Sequence, residues 1–218
     1  IEWKAGPLLP PNSQTLHPSR TDMPLPYTLP RVGSGNEPLR IAVFISGGGS
    51  GLAALLKFQA ETPRLHNTVL VISEDPNAGG QVFCEENDVT FVGIRLPNIS
   101  DKSLRRLSHE EEIEVKLVEY DVELIVLSGY MRILTPNFVK KWKGRLVNIH
   151  PSLLPKYPGA HAHRDALADG ATVSGCTVHL VDEGVDSGQI LASEMVEVLP
   201  TDTLSDLQNR IKIIEHKL

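Results

Sequence analysis

The chain has 218 residues and a formal net charge of −6, with a pI near 5.8: room for one sizeable core, and too acidic for general affinity to nucleic acid. No apolar run approaches the roughly 18 residues a membrane helix needs, and the two cysteines, Cys84 and Cys176, fall in predicted buried elements without metal-like spacing. A cytoplasmic α/β protein with reduced thiols is expected, in which a few placed NH groups and cations can still hold a small anion.

Residues 1–39 differ from the rest. Pro7, Pro10, Pro11, Pro18, Pro24, Pro26, Pro30 and Pro38 break any helix or central strand, and no hydrophobic period emerges. We expect an extended arm or linker over 1–39 and one folded domain over 40–218. The chain opens at Ile1 rather than Met, and its start has no basic segment followed by an apolar block, so the arm does not read as a signal peptide.

From residue 40 the elements come in alternation. A β-branched and apolar run over 40–46 enters Gly47-Gly48-Gly49-Ser50-Gly51, and an Ala/Leu-rich helix follows over 52–59. Strands fit 68–73 and 89–96, with a helix over 81–87 between them. Residues 103–119 are charged but place Leu104, Leu107, Ile113 and Leu117 on one stripe, a helix with a single buried face. A fully apolar strand over 124–127 leads to Ser128-Gly129-Tyr130-Met131-Arg132-Ile133-Leu134, and Pro136 starts a short helix to residue 142. A strand over 145–149, a helix over 163–168 and paired strands over 173–181 and 189–198 complete the body. From Thr201 a cap-like start places Leu204, Leu207, Ile211 and Ile214 on one face of a last helix, expected to be truncated or frayed. Such alternation implies a doubly wound, mainly parallel sheet with ligands at the carboxyl ends of its strands.

Two readings of the glycine turn stay open. Gly49-Ser50-Gly51-Leu52-Ala53-Ala54 fits a dinucleotide fingerprint, with Glu74 placed as a ribose-binding acid. The simpler reading is a monophosphate site, in which the NH groups of Gly49, Ser50 and Gly51 and the Ser50 hydroxyl face an anion at the positive end of the helix. No Gly-Lys-Ser/Thr follows, which excludes a Walker-type loop.

The chemistry concentrates further on. Asn148 and His150 lie two residues apart at the end of an apolar strand, and Asp186 stands on a turn after a second one. An amide donor, an imidazole and a carboxylate suit acyl transfer, where charge grows on a carbonyl oxygen and an attacking amine loses a proton. His161, His163 and His179 invite a metal reading, but no carboxylate or cysteine completes a ligand set at recognisable spacing.

With these residues in view, the chain from about residue 39 onward resembles the phosphoribosylglycinamide formyltransferase family, folate-dependent enzymes of purine synthesis. The likeness rests on Ile45-Ser46-Gly47-Gly48-Gly49-Ser50, on Gly129-Tyr130-Met131-Arg132-Ile133-Leu134, on the run from Asn148 through Pro151-Ser152-Leu153-Leu154-Pro155 to His163, and on Val178-His179-Leu180-Val181 leading to Val185-Asp186-Ser187-Gly188. It implies a Rossmann-like formyltransferase fold and transfer of a formyl group from 10-formyltetrahydrofolate, as co-substrate, to the amine of glycinamide ribonucleotide, without a metal. It assigns Asn148, His150 and Asp186 to catalysis, Gly49, Ser50 and Gly51 to the substrate phosphate, and Glu215 to its sugar or amine end. Arg106, Met131, Arg132, Ile133 and Leu134, with Asn148, are implied as folate-binding; for Arg106 an ordinary exposed arginine is the alternative. Gly51 departs from the family's usual Asn, removing a side-chain donor from the phosphate loop, and Gln189 replaces a common Pro. Small-molecule partners are expected, with no nucleic acid or membrane, as a monomer or homodimer. Formyltetrahydrofolate hydrolase and methionyl-tRNA formyltransferase share the Asn, His and Asp arrangement, and a non-catalytic nucleotide-binding module is the reading outside that class.

Overall fold

The computed structural model describes residues 27–61 and 64–218, so the prolines of the arm up to Pro26 lie outside the described residues. In chain order the elements are β1 (Leu39–Ile45), α1 (Ser50–Glu61), β2 (His66–Ser73), α2 (Gln81–Glu86), β3 (Thr90–Gly93), α3 (Lys102–Glu119), β4 (Leu124–Leu127), α4 (Pro136–Lys141), β5 (Leu146–His150), α5 (Ala162–Ala168), β6 (Val173–Leu180), β7 (Ile190–Glu197) and α6 (Leu204–Glu215). The strands form one seven-stranded sheet in the order β3-β2-β1-β4-β5-β6-β7. The five from β3 to β5 are parallel, whereas β6 and β7 add as an antiparallel pair. The doubly wound, mainly parallel sheet expected from the alternation is therefore present.

The pleat of β1 explains its continuous apolar run. Successive side chains alternate faces, so Ile41, Val43 and Ile45 meet Leu52 and Leu56 of α1 and Cys84 of α2 on one side. Ala42 and Phe44 meet Ile113 and Leu117 of α3 and Phe138 and Val139 of α4 on the other. A strand buried on both faces has no polar alternation to show, and each fully buried large side chain contributes about 1.5–3 kcal/mol. A third cluster joins Cys176 of β6 and Val196 of β7 to Ala166 of α5 and to Leu207 and Ile211 of α6. Both cysteines are free and buried; burial pushes the Cys84 thiol up to about 11 and the Cys176 thiol up to about 12.

Three expectations need correction. The buried stripe of α3 is His109, Glu110, Ile113 and Leu117; Leu104 is exposed. Glu110 turns inward because its carboxylate accepts hydrogen bonds from the Thr135 backbone NH at 2.6 Å and from the Thr135 hydroxyl, fastening the α4 N-cap. Burial nevertheless raises the pKa of that carboxyl, which the Thr135 bonds offset only in part. The last helix is capped not at Thr201 but at Thr203, in a reciprocal capping box with Asp206, and runs over Leu204–Glu215 with Leu207 and Ile211 fully buried. Finally, α1 begins at Ser50 rather than at residue 52. Among the described residues no helix is long and apolar enough to cross a membrane.

Candidate active site

The strand order reverses between β1 and β4, and the carboxyl ends of both open onto one cleft of about 640 Å³. Gly47 to Gly51 follow β1, Ser128 to Ile133 follow β4, and Asn148 and His150 end β5. Asp186 from the β6–β7 loop, His163 from α5 and Glu215 from α6 close its walls. Crevices at such a switch point are where open α/β sheets bind ligands.

The glycine turn opens the first turn of α1 towards the cleft. Gly49 has φ 66°, in the left-handed region, and a Cβ there would press on the Gly80 backbone at 2.8 Å, so only glycine fits. Its carbonyl accepts from Ala53 N at 2.9 Å, the first bond of α1. The first-turn NH groups at Ser50 and Gly51 therefore have no partner within the helix and face the cleft end. Glu74 is not among the residues lining the cleft. Its carboxylate accepts from the Ser46 hydroxyl at 2.9 Å, and Ser46 Oγ in turn accepts from Met131 N at 2.8 Å. Glu74 thus fastens the loop after β4 to the sheet, a structural role that lends the dinucleotide reading no support.

The amide, imidazole and carboxylate do converge. Asp186 Oδ2 lies 3.3 Å from His150 Nδ1 and accepts from Gly159 N at 2.7 Å. Asn148 Nδ2 lies 3.1 Å from His179 Nε2, its cross-strand neighbour on β6, and a long 3.5 Å from Asp186 Oδ1. His179 is buried and its Nδ1 donates to Leu180 O at 2.9 Å. Since a carbonyl only accepts, Nδ1 carries a proton, while Nε2 faces both the Asn148 amide and, at 3.5 Å, Asp186 Oδ1. The Asp186 carboxyl is held down at about 2, first by His179, with burial opposing and the Gly159 NH and His150 adding to the effect. His150 Nε2 donates to Tyr157 O at 2.9 Å, so both ring nitrogens face acceptors.

The loop after β5 makes this possible. Thr177 of β6 donates to Ser152 O at 2.7 Å and accepts from Leu154 N at 3.1 Å, while Ser152 donates to Lys156 O at 2.6 Å. Thr177 and Ser152 are fully buried. These bonds return the chain so that the Tyr157 carbonyl and the Gly159 NH reach His150 and Asp186. Sequence reasoning missed both contacts, because backbone groups leave no side-chain mark.

Of the residues implied to bind folate, Met131, Arg132 and Ile133 line the cleft, and Met131 and Ile133 are largely exposed on it. Arg106 and Leu134 are not part of that wall; they line an adjoining small crevice with His109, Glu110 and Tyr130. Glu215 is half-buried, and burial raises its pKa against the opposing charge of Lys212. Burial likewise lowers the pKa of His163, assisted by His150. Among the described residues no group of three or more His, Cys, Asp or Glu is disposed to hold a metal ion.

Sheet order and cleft define a Rossmann-like α/β protein with its main cleft at the topological switch point. Residues 39–218 match the family described as formyl transferase, and the chain belongs to it. It is 42% identical over 180 residues to a human protein named trifunctional purine biosynthetic protein adenosine-3, covering 82% of this chain and 17% of that one. It is 37% identical to the phosphoribosylglycinamide formyltransferase of Mycobacterium tuberculosis, covering 84% and 82%. The chain thus spans less than a fifth of the trifunctional relative and most of the bacterial one. Among solved structures, glycinamide ribonucleotide transformylase 1 from Symbiobacterium toebii superposes with a TM-score of 0.77 at 36% identity, covering 83% and 84% of the two chains. Phosphoribosylglycinamide formyltransferase from Brucella melitensis gives 0.75 at 39% identity, covering 83% and 91%.

Proposed function

We propose that this chain transfers the formyl group of 10-formyltetrahydrofolate to the primary amine of glycinamide ribonucleotide, in purine biosynthesis in the cytosol. The observation that carries this reading is the convergence of Asn148, His150 and Asp186 on a cleft that also holds the unpartnered first-turn NH groups of Ser50 and Gly51. An acyl-transfer centre beside an anion-binding turn suits an amine substrate bearing a phosphate.

The amine attacks the formyl carbon, and the C=O becomes a tetrahedral oxyanion. The Asn148 amide and the His150 Nδ1–H donate to that oxygen. A ring carrying both NH groups satisfies Tyr157 O and Asp186 together and leaves Nδ1–H to be shared with the oxyanion. Asp186 stays ionised well below neutral pH and balances the imidazolium by proximity. The C–N bond to folate then breaks; the amine proton, passed on with help from Asp186, ends on the departing folate nitrogen. Glu215, half-buried and at the cleft wall, supplies a carboxylate for the sugar hydroxyls or amine end of the substrate. Met131, Arg132 and Ile133 offer a wall of backbone and apolar groups for the pterin.

An absorbance assay for deformylated folate, run with and without glycinamide ribonucleotide, tests the proposal. Product that depends on the ribonucleotide supports the transferase. Product formed at the same rate without it, with release of formate, identifies a hydrolase. No product under either condition ends the reading.

A further inference from the structure

Gly51 and Ser128 face each other across the switch point. Gly51 lies in the first turn of α1, after β1, and Ser128 is the first residue after β4. Phe44 and Leu127 pair across the two strands, and Ser128 N donates to Phe44 O at 2.9 Å, which fixes Ser128 against the end of β1. A Cβ built on Gly51 would run into Ser128 Oγ, whereas Ser128 Cβ would lie at an ordinary 3.8 Å. The hydroxyl therefore occupies the space that a side chain at position 51 would need. Both residues line the cleft. Ser128 is half-buried, and its hydroxyl makes no hydrogen bond to the protein among the described residues.

We propose that Ser128 is a specificity-determining residue whose hydroxyl donates to the phosphate monoester of the substrate, replacing the side-chain donor that Gly51 lacks. The proposal rests on the transferase reading above. Its physical basis is placement: the hydroxyl lies alongside the first turn of α1, where the NH groups of Ser50 and Gly51 already favour an anion. An O–H donor adds a charge-assisted bond to that set. In the observed rotamer the Ser128 hydroxyl fills the space beside Gly51, so a side chain at 51 would displace it from that position.

The test is calorimetric binding of glycinamide ribonucleotide, and of its dephosphorylated nucleoside, to the full chain. A hydrogen bond to a charged group corresponds to roughly tenfold in affinity or more. Ser128→Ala is expected to weaken the ribonucleotide by that factor and leave the nucleoside unchanged. Gly51→Asn alone is expected to weaken the ribonucleotide through the clash. Placed on Ser128→Ala, the same change is expected to restore binding, because Asn then has both room and a donor. An unchanged ribonucleotide affinity in Ser128→Ala, or equal losses for both ligands, overturns the proposal. If that happens while the wild type still consumes formyl-folate with the ribonucleotide, only the role of Ser128 falls. A wild type that neither binds the ribonucleotide nor turns over removes the transferase reading, and this proposal with it.

Discussion

Asp186 has a backbone φ of 50°, a region that L-residues visit rarely and that Asp and Asn tolerate best. There its two oxygens face separate partners: Oδ2 the Gly159 NH and His150, Oδ1 Asn148 and His179. The carboxyl is held at about 2 against an ordinary value of 3.8. A carboxyl whose pKa falls on folding adds stability that is fully present above the unfolded value and is lost as pH drops through the folded one. The window therefore lies between about pH 4 and pH 2, and a depression of this size corresponds to about 2 kcal/mol. Urea denaturation should show the wild type losing about that much more stability than Asp186→Asn between pH 5 and pH 2. Parallel losses would mean that the carboxylate gains nothing from its neighbours. At neutral pH the same variant should turn over far more slowly, as should Asn148→Ala and His150→Ala. Removing one oxyanion donor typically costs about 10²–10³ in rate, and near-normal turnover in the formyl-transfer assay would remove that residue from the mechanism.

At the level of elements, the loop of 151–159 is held by β6 rather than by its own turns. Thr177 both donates to Ser152 O and accepts from Leu154 N, inside the protein. Thr177→Val keeps the shape and removes both bonds, leaving a buried NH and a buried carbonyl unsatisfied at roughly 1–3 kcal/mol. We expect a lower melting temperature together with a fall in kcat, since Tyr157 O and Gly159 N would no longer hold His150 and Asp186 in place. A drop in stability with kcat unchanged would show that the loop keeps its path without Thr177. What could be read beforehand follows the same division. The apolar runs of β1 and β4 and the motif holding Asn148 and His150 were legible, because one strand carries both catalytic candidates and burial on two faces marks the strands. The inward turn of Glu110 was not, because its reason is the N-cap of α4, 25 residues away in sequence. The anchoring contact of Glu74 was hidden for a similar reason: its partner is the Ser46 hydroxyl on a neighbouring strand end.

At the scale of the whole molecule, residues 27–38 of the arm are fastened to the domain. Arg31 donates to the Glu123 carboxylate at 2.5 and 2.9 Å and to the carbonyls of Glu37 and Pro38, while Arg40 N also donates to Glu123. Tyr27 packs on Gly144, where a Cβ would meet its ring, and its hydroxyl lies 3.4 Å from Gln189. Residues 27–38 thus strap three separated parts of the fold: the start of β1, the turn before β4 and the approach to β5. Burial would raise the Glu123 carboxyl, yet Arg31 and the Arg40 NH outweigh it and hold the pKa below its ordinary value. Because Arg31 is about a third exposed, solvent screens much of the pairing. Scanning calorimetry on two shortened chains separates arm from strap. Compared with a chain beginning at Tyr27, one beginning at Leu39 should melt roughly 2–4 °C lower, and turnover in the formyl-transfer assay should be equal in the two because no cleft residue is removed. Equal midpoints in both would show that the strap lies on the surface without stabilising it, and the domain would then begin at β1.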